Sequence, residues 1–366
     1  SGATFNASSS NLANRPNAQA IIINGDCSVS QRGTAIADES SSGVYRVDRM
    51  NVGLSNIGEF RLSQDSISSG DAYANGFTKA FRIDCAVADA SPAAGDIANM
   101  TYKMEGNTVQ AFKKGTANAE KATLSFWVRC SKTGTAQVNL IDSDNSRMVS
   151  GTYTVSSANT WEQKIINFPA DTTGALDNDN NKSLELEFAL DAGSDFTSGS
   201  VQTSWGASNN ANRSVNDFAI QDNTANDWSI TGIQLEVGEY TSSTLPPFQH
   251  ESYGDNLQRC LRYFEKRCNV TEALITPAQC VSGTKAMAGL HCTEKRAVPS
   301  VALGACILLT ASNGDAGSIT STAIQAFSTT GGRFDANIGS SNLTAGNITY
   351  FQPNSTTDGI EYNAEL

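Results

Sequence analysis

Carboxylates are the first groups in this sequence that could do chemistry. Cleavage of a glycosidic bond needs two of them facing each other across one sugar linkage, with the pKa of one raised by its surroundings. Four acids lie close together, namely Glu185, Glu187, Asp191 and Asp195. Because Glu185 and Glu187 alternate with leucine and phenylalanine, the pattern predicts a half-buried strand that turns its acids towards solvent. We therefore predict no catalytic residue here.

Nucleophilic catalysis has no better support in the sequence. The chain contains no GxSxG turn, and its two histidines offer little choice of base. His250 follows a Pro-Pro-Phe turn, and His291 lies among cysteines, so we predict structural roles for both. The sequence therefore predicts a protein that is not an enzyme and that needs no cofactor.

An exposed tryptophan beside amide side chains is the pattern of a sugar-binding site, because a flat ring stacks on a pyranose and amides bond its hydroxyls. Such a pattern occurs in the segment QTSWGASNNANRSVND. We predict ligand contacts for Trp205, Asn209, Asn210 and Arg213. Packing of the Trp205 ring into one end of a sandwich is the alternative. The other three tryptophans lie on strands or at strand starts and are predicted core residues: Trp127, Trp161 and Trp228.

Two runs of acids and amides could hold a structural calcium ion, which prefers oxygen ligands. They are DSDNS at 142–146 and LDNDNNKS at 176–183, and the predicted ligands are Asp142, Asp144, Asp177 and Asp179. Neither run has the glycine and distal glutamate of an EF-hand loop. Ordinary turns, in which aspartate and asparagine are common, remain the alternative.

The cysteines predict a reduced protein. Eight of them are scattered without CxxC pairs, so we expect small buried thiols. A disulfide between Cys280 and Cys292 remains an alternative. Zinc is not expected, because only two histidines are present and the spacings match no common site.

Length and composition bound the class of protein. At 366 residues the chain is long enough for two domains, each with its own core. Charged residues are only 17% of the chain, and its net charge is −12, so it lacks the basic surface that nucleic-acid binding requires. No apolar run is long enough to cross a bilayer, and the first residues are too polar for a signal peptide. A neutral polar surface of this kind suits sugars.

The elements that would position these residues are short strands. Residues 1–19 are rich in serine, asparagine and alanine, and we expect an arm that orders only against a partner. From residue 20 to 248, alternating runs broken by turn residues predict an antiparallel β-sandwich. The runs AIIINGD, KAFRIDCAVAD, TLSFWVRCS and DWSITGIQLEVG are read as strands, and IANMTYKME as a helical turn.

Two further segments follow the double proline of LPPFQH. Leu257, Leu261 and Phe264 have helical spacing, which predicts a short linker helix over 249–268. Residues 269–366 return to strand-like patterns with few aromatic residues, which predicts a smaller β-rich tip domain. Because its core is thin, we expect neighbouring copies of the chain to complete it.

Six phrases, in their order, resemble a recurrent module of bacteriophage tail-fibre, spike and other virion proteins. They are IINGDCSVSQRGT at 22–34, YRVDRM at 45–50, TLSFWVRCSKTGT at 123–135, TWEQKIINFPADTTG at 160–174, DWSITGIQLEVG at 227–238 and PPFQHESYGDNLQRCLRYFEK at 246–266. The resemblance implies a jelly-roll fold similar to carbohydrate-binding modules, a linker helix, a variable tip and a homotrimer.

The resemblance also implies a role. We expect a non-catalytic fibre or spike, assembled in the cytoplasm of a host bacterium and located on the virion. Its arm would dock on a virion attachment protein, and its tip and sandwich loops would bind a host-surface polysaccharide through many weak contacts. Two alternatives stay open: a capsid decoration or head-fibre protein, which the short N-terminus also suits, and a tailspike that depolymerises glycans.

Overall fold

The computed structural model describes residues 19–216, 218–267, 275–304, 306–309, 315–353 and 359–366. The chain divides into two compact units, one formed by Ser1–Asn256 with Leu366 and the other by Leu257–Glu365. Apart from residue 19, the predicted arm lies outside the described residues. No helix within these ranges is both long and apolar enough to cross a membrane.

Short strands dominate the first unit. In chain order they are β1 (Ala35–Glu39), β2 (Val44–Tyr45), β3 (Asn51–Ser55), β4 (Glu59–Ser66), β5 (Lys79–Val87), β6 (Ile97–Glu105), β7 (Ala122–Cys130), β8 (Gly134–Asp142), β9 (Arg147–Val155), β10 (Glu162–Phe168), β11 (Lys182–Ala192), β12 (Gly206–Ala207) and β13 (Asp227–Val237). The helices are α1 (Gly70–Ala74), α2 (Ser194–Thr197) and α3 (Tyr253–Leu261). The division between the two units falls inside α3.

These strands form two antiparallel sheets packed as a jelly-roll sandwich. The six-stranded sheet has the order β1-β4-β5-β13-β7-β10, and the seven-stranded sheet the order β12-β9-β8-β11-β6-β3-β2. Several neighbouring strands are far apart in sequence, as β13 between β5 and β7 shows, because the chain crosses repeatedly between the sheets. The all-β fold predicted from the sequence is confirmed.

Aromatic side chains fill the space between the two sheets. The Phe126 ring contacts the rings of Tyr153 and Phe188 at centroid distances of 5.0 and 5.1 Å. Trp228 is fully buried and donates from Nε1 to the Tyr153 hydroxyl at 3.1 Å. A buried ring with a polar atom thus finds its hydrogen-bond partner inside the core, and the prediction of a core position for Trp228 is confirmed.

A bulge in β13 changes which residues face the core. Pairing with β7 shifts register between Thr231 and Gln234. Trp228 and Ile230 point inward before the bulge, and after it the inward positions move to odd numbers, such as Ile233. An extra residue in one strand causes such a change, because side chains alternate with a period of two.

Three local predictions from the sequence are wrong. Residues 21–26 form a buried turn instead of a strand, because the Asn24 side chain bonds the backbone of Val29 and Asp48. The segment predicted as a helical turn is the strand β6, held between two neighbouring strands. The helix ends at Leu261, short of the predicted residue 268, because Phe264–Arg267 pairs as a strand with Ile360–Asn363.

The second unit is built from two smaller sheets. Its strands are β14 (Phe264–Arg267), β15 (Thr276–Cys280), β16 (Lys285–His291), β17 (Ser300–Leu303), β18 (Cys306–Leu309), β19 (Asp315–Ser328), β20 (Gly331–Ile338), β21 (Ile348–Pro353) and β22 (Ile360–Asn363). Six of them close a barrel in the order β15-β16-β20-β19-β18-β21, and the others form the sheet β14-β22-β17. Small residues line much of its core, and the Phe334 and Phe351 rings pack edge to face there at a centroid distance of 5.6 Å.

Six cysteines of the described ranges are buried and form no disulfide, namely Cys27, Cys85, Cys130, Cys260, Cys280 and Cys292. Cys280 and Cys292 are among them, so the alternative of a disulfide between them is wrong for this structure. Burial raises the pKa of both thiols, because it penalises the charged thiolate. They pack as small apolar side chains.

Candidate functional site

A concavity of about 300 Å³ opens on the outer face of the six-stranded sheet. Its floor is formed by β7, β10 and β13, and its walls by the chain after α1 and by the segment 242–250. The lining residues are Asn75, Phe77, Ser125, Trp127, Gln163, Gly232, Gln234, Ser242, Leu245, Pro246, Pro247, Phe248 and His250. Aromatic rings and neutral amides therefore meet in one place.

Strand alternation brings Trp127 to this concavity. In β7 the inward side chains are Leu124, Phe126, Val128 and Cys130, and the outward ones are Ser125, Trp127 and Arg129. Trp127 is 8% exposed and belongs to a small apolar cluster separate from the main core, together with Phe77. The prediction that Trp127 packs in a core holds for this outer cluster and not for the space between the sheets.

Three further rings form the aromatic wall. Phe77, Phe248 and His250 pack against one another with centroid distances of 4.9 to 5.0 Å. His250 is exposed and its Nε2 lies 3.3 Å from the Asn75 carbonyl oxygen, while Phe248 is half-buried. The proline pair of the LPPFQH segment restricts the backbone that carries Phe248 and His250, so this wall is held in place before any ligand arrives.

The bulge in β13 makes room for these rings. Gly232 has a φ of +60°, and a Cβ placed on it would lie 2.7 Å from Phe77 Cζ and 3.0 Å from Trp127 Cδ1. Any side chain there would displace both rings, and an L-residue would also be strained at that φ. Gly232 is therefore required both by the backbone and by the aromatic contacts.

The polar lining consists of amides with unused hydrogen-bonding capacity. Gln163 is exposed and donates to Ser125 Oγ at 3.2 Å. Gln234 is mostly buried and donates from Nε2 to Glu236 Oε1 and the Pro246 carbonyl at 3.0 and 3.1 Å. Within the described ranges, neither amide oxygen accepts a hydrogen bond. Both remain available to hydroxyl donors of a ligand.

The chemistry that this lining supports is recognition of a neutral polar molecule with an apolar face. Its described lining residues include no aspartate or glutamate, and His250 is the single titratable side chain among them. The paired acids required for glycoside hydrolysis are therefore not part of this concavity. The concavity contains instead aromatic rings that can stack on a sugar and amides that can bond its hydroxyl groups.

A second concavity, of about 180 Å³, opens on the same sheet face. Its lining includes Arg129 on β7, Ser229 on β13 and the half-buried Trp161 just before β10. Ser125, Trp127 and Arg129 follow one another on the outer side of β7, so the two concavities are neighbours along that strand. Trp161, predicted to be a core residue, packs against the outer cluster that contains Trp127 and also lines this second concavity.

Trp205 lines neither of these two concavities. Its ring is half-buried and packs against the main core, and its Nε1 donates to the Pro169 carbonyl at 2.8 Å. The Lys114 ammonium lies 4.8 Å from the ring centroid, a cation–π contact that occupies one face. These contacts agree with the alternative given above, in which the Trp205 ring packs against the sandwich. We therefore place the candidate site elsewhere.

The other predicted ligand contacts are engaged with the protein. The Asn209 side chain accepts from the Ala211 amide at 3.1 Å and caps a short turn, while Asn210 is exposed. The Arg213 guanidinium donates to both carboxylate oxygens of Glu187 and lies over the Phe196 ring. Asn209 is exposed as well, and Asn210 Oδ1 accepts from the Arg213 guanidinium at 3.4 Å.

The acids of β11 do not face solvent, contrary to the prediction from their alternation. Glu187 is 2% exposed and accepts hydrogen bonds from Asn139 Nδ2 and Asn99 Nδ2 at 2.9 and 3.1 Å, besides those from Arg213. Glu185 and Asp191 are buried as well, and Asp195 is exposed at α2. A satisfied buried carboxylate of this kind orders the fold.

The two runs predicted to hold calcium do meet, but their acids serve other partners. Asp144 Oδ2 accepts from the Asp177 amide at 2.9 Å, and Asp179 accepts from the Asn181 amide at 2.9 Å. Asp142 is fully buried and pairs with the Lys114 ammonium. Among the described residues, no three histidine, cysteine, aspartate or glutamate side chains form a group that could hold a metal ion.

One signal in the sequence could have located the candidate site. The apolar positions of DWSITGIQLEV change from even to odd numbers across Gly232, which indicates a bulge, and Trp127 lies on the polar side of its own alternating strand. Together they indicate an aromatic ring outside the core. The contribution of the segment 242–250 could not be found this way, because it depends on a tertiary contact.

Comparisons with known proteins add a likeness of fold. No family model matches the chain, and no curated protein matches it. Solved structures similar to it include tailspike protein 4 of bacteriophage CBA120, in its enzymatically active domain, at 12% identity and a TM-score of 0.30. That match covers 60% of this chain and 21% of the tailspike chain.

Carbohydrate-binding modules are also among the similar structures. A module of family CBM4 shows 10% identity and a TM-score of 0.29, over 58% of this chain and 97% of the module. The family 11 module of the cellulase Lic26A-Cel5E of Clostridium thermocellum shows 10% identity and a TM-score of 0.27, over 57% and 99%. At these scores the likenesses carry no argument about a binding site or an activity of this chain.

Proposed function

We propose that this chain is a non-catalytic fibre or spike protein of a bacteriophage virion, which adheres to a host-surface glycan through the concavity on the six-stranded sheet. It works without a cofactor, as one of several copies on each particle, most simply as a homotrimer. The N-terminal arm attaches it to the virion after assembly in the host cytoplasm. The ordered phrases between residues 22 and 266 support the virion assignment.

The concavity itself carries the glycan assignment. Four aromatic side chains, with Trp127 at the floor and His250 at the rim, stand beside the unused amide oxygens of Gln163 and Gln234. A pyranose has an apolar face for such rings and hydroxyl donors for such oxygens. The lack of a charged group in the described lining favours a neutral sugar, and so does the low content of charged residues in the whole chain.

Weak binding at each site is sufficient for adhesion. A concavity of about 300 Å³ lies at the small end of the range for ligand sites, so each site holds little more than one ring. Several copies on one particle raise the effective affinity through multivalency, because the second contact forms within an already tethered complex. The neighbouring concavity at Trp161 would extend the contact along the same glycan.

The test is a glycan array with the full chain, followed by titration calorimetry with the glycan that gives the strongest signal. We expect His250→Ala and Gln163→Ala each to weaken binding by about tenfold, because each removes roughly 1.4 kcal/mol of contact. Both residues are exposed, so folding should be preserved. Tyr253→Ala is the matched control: this aromatic residue is 59% exposed but does not line the concavity.

Two outcomes would refute the proposal. One is an array on which no glycan binds the full chain. The other is a bound glycan whose affinity is the same in His250→Ala, Gln163→Ala and the Tyr253→Ala control. Shortening of the glycan chains on incubation with the pure protein would instead show a depolymerase and would refute the non-catalytic role.

A further inference from the structure

The second unit has a groove of its own, of about 580 Å³, on the outside of the barrel. It opens where β15 separates from β16, since these strands pair only through Gln279 with Met287 and Cys280 with Ala286. Its lining includes Gln279, Gly289, His291, Ser328, Thr330 and Arg333. All of them belong to the second unit.

Gly289, at the floor of the groove, has no structural reason to be glycine. It pairs with Arg333 in a ladder without a register shift, and its φ lies outside the left-handed region. A Cβ placed on it would have nothing within 4 Å. Glycine inside a strand weakens the strand, and beyond bulges and tight bends it marks places where another molecule approaches the backbone closely. Here the open space above Gly289 is available to a ligand.

Positive charge borders this floor. Arg333 donates from Nε and one terminal nitrogen to Asp335 at 3.1 and 3.2 Å, which fixes the guanidinium while half of its side chain stays exposed. Lys285 also pairs with Asp335, at 2.9 Å, so two cations share one buried acid. Burial opposes ionisation of Asp335, but the hydrogen bonds from Lys285 and Arg333 hold its pKa below the ordinary value. Two cations against one carboxylate give this cluster beside the groove a net positive charge, in a chain of net charge −12.

Hydroxyl and amide groups complete the lining. Ser328 and Thr330 stand at the turn between β19 and β20, and Gln279 stands across the floor from them. His291, predicted to be structural, is exposed at the end of β16 and lines the same groove. This combination differs from the concavity of the first unit, which has aromatic rings and no permanent charge.

We propose that this groove binds an acidic sugar unit, with the carboxylate on the Arg333 guanidinium and the ring lying over Gly289. Asp335 accepts from Nε and one terminal nitrogen of Arg333, so the end of the guanidinium, with its second terminal nitrogen, is the part that donates to the sugar carboxylate. The bare backbone at Gly289 lets a flat ring approach, and Gln279, Ser328 and Thr330 bond its hydroxyls. The inference rests on the proposed function for the class of ligand, a glycan, and adds a second site with a different specificity.

The test compares trigalacturonate with neutral galactotriose on the full chain by titration calorimetry. We expect trigalacturonate to bind in the millimolar range or tighter, and at least tenfold more tightly than galactotriose, because an arginine–carboxylate contact is lost with the neutral sugar. Binding should weaken with added salt, since the pair is partly exposed to solvent.

Gly289→Val is the decisive variant, because it fills the floor with a side chain that suits an exposed strand position. We expect the fold to be preserved and trigalacturonate binding to fall by at least tenfold. Ala302→Val, at an exposed position of β17 outside the groove, is the matched control and should bind normally. Arg333→Gln should remove the preference for the acidic sugar, so that both trisaccharides bind equally weakly.

Several results would overturn this assignment. They are equal affinity for the two trisaccharides in the unmodified chain, no binding of trigalacturonate, or unchanged binding in Gly289→Val. Binding of inorganic phosphate in the same titration, without binding of trigalacturonate, would show a simple anion site and refute the sugar. The neutral glycan of the first unit is titrated in parallel with Gly289→Val, so that failure of either site is seen separately.

Discussion

Substitution of Gly232 by alanine tests the geometry of the candidate site. A Cβ at this position would lie 2.7 Å from Phe77 Cζ and 3.0 Å from Trp127 Cδ1. Overpacking of this kind costs about 1–3 kcal/mol, and an L-residue in the left-handed region costs about 1–2 kcal/mol more. Since alanine also restricts the unfolded chain, which returns roughly 0.4–1 kcal/mol, we expect a net loss of about 2–4 kcal/mol.

Guanidinium unfolding followed by tryptophan fluorescence measures this loss. All four tryptophans lie in the first unit, so the signal reports the unit that contains Gly232. Gly43→Ala is the matched control, because Gly43 has a φ of +83° but nothing within 4 Å of its Cβ position. Its loss should be limited to the backbone cost of about 1–2 kcal/mol less the same return from the unfolded chain, a net loss of roughly 0–1.6 kcal/mol.

The difference between the two variants isolates the contact with the aromatic rings. We expect Gly232→Ala to be less stable than Gly43→Ala by at least 1 kcal/mol, and also to lose glycan binding, because Phe77 and Trp127 must move. If the two variants lose equal stability, the Phe77 and Trp127 rings do not pack against Gly232. The geometry on which the site depends is then refuted.

Three further predictions concern stability and reactivity. Lys114→Met should destabilise the first unit by about 3–5 kcal/mol in chemical unfolding, because it leaves the buried Asp142 carboxylate without its cation. Lys113→Met, in an exposed ion pair, should cost at most about 1 kcal/mol, and equal losses in the two variants would contradict this. Burial opposes ionisation of Asp171 and Glu265, but charged hydrogen-bond partners hold the pKa of each carboxyl below its ordinary value. The contribution of these two carboxylates to stability should therefore be present above about pH 4–5 and be lost as the pH falls through their folded-state pKa values. An unfolding midpoint that does not change down to about pH 3 would refute this. Burial raises the pKa of the Cys130 thiol to about 11, so iodoacetamide at pH 8 should leave it unmodified in peptide mapping of the native protein, and rapid alkylation would contradict its burial.

Strand alternation made much of the fold predictable from the sequence. The run TLSFWVRC became β7 with Phe126 inward, and DWSITGIQLEV became β13, because a period of two fixes which side meets the core. At residues 21–26 the same reasoning predicted a strand, but local hydrogen bonds hold a turn there. There the Asn24 side chain bonds the backbone of two other segments and holds a turn, which no apolar pattern reveals.

The site was harder to predict because it depends on contacts between distant segments. Trp205 has the right neighbours in sequence, yet Lys114 and the Pro169 carbonyl, far from it in sequence, occupy its ring and its nitrogen. Glu187 has the pattern of an exposed acid, yet the loop that carries Arg213 folds over it. A residue pattern gives the face of a strand but does not show what covers that face.

A crystal structure of the full chain with the glycan selected on the array tests the central claim most directly. We predict a sugar ring in the concavity of the six-stranded sheet, with hydroxyl groups within hydrogen-bond distance of the Gln163 and Gln234 amide oxygens and the ring against His250 and Phe248. Density for the sugar beside Trp205, or an empty concavity in crystals of a chain that binds the glycan in solution, would contradict it.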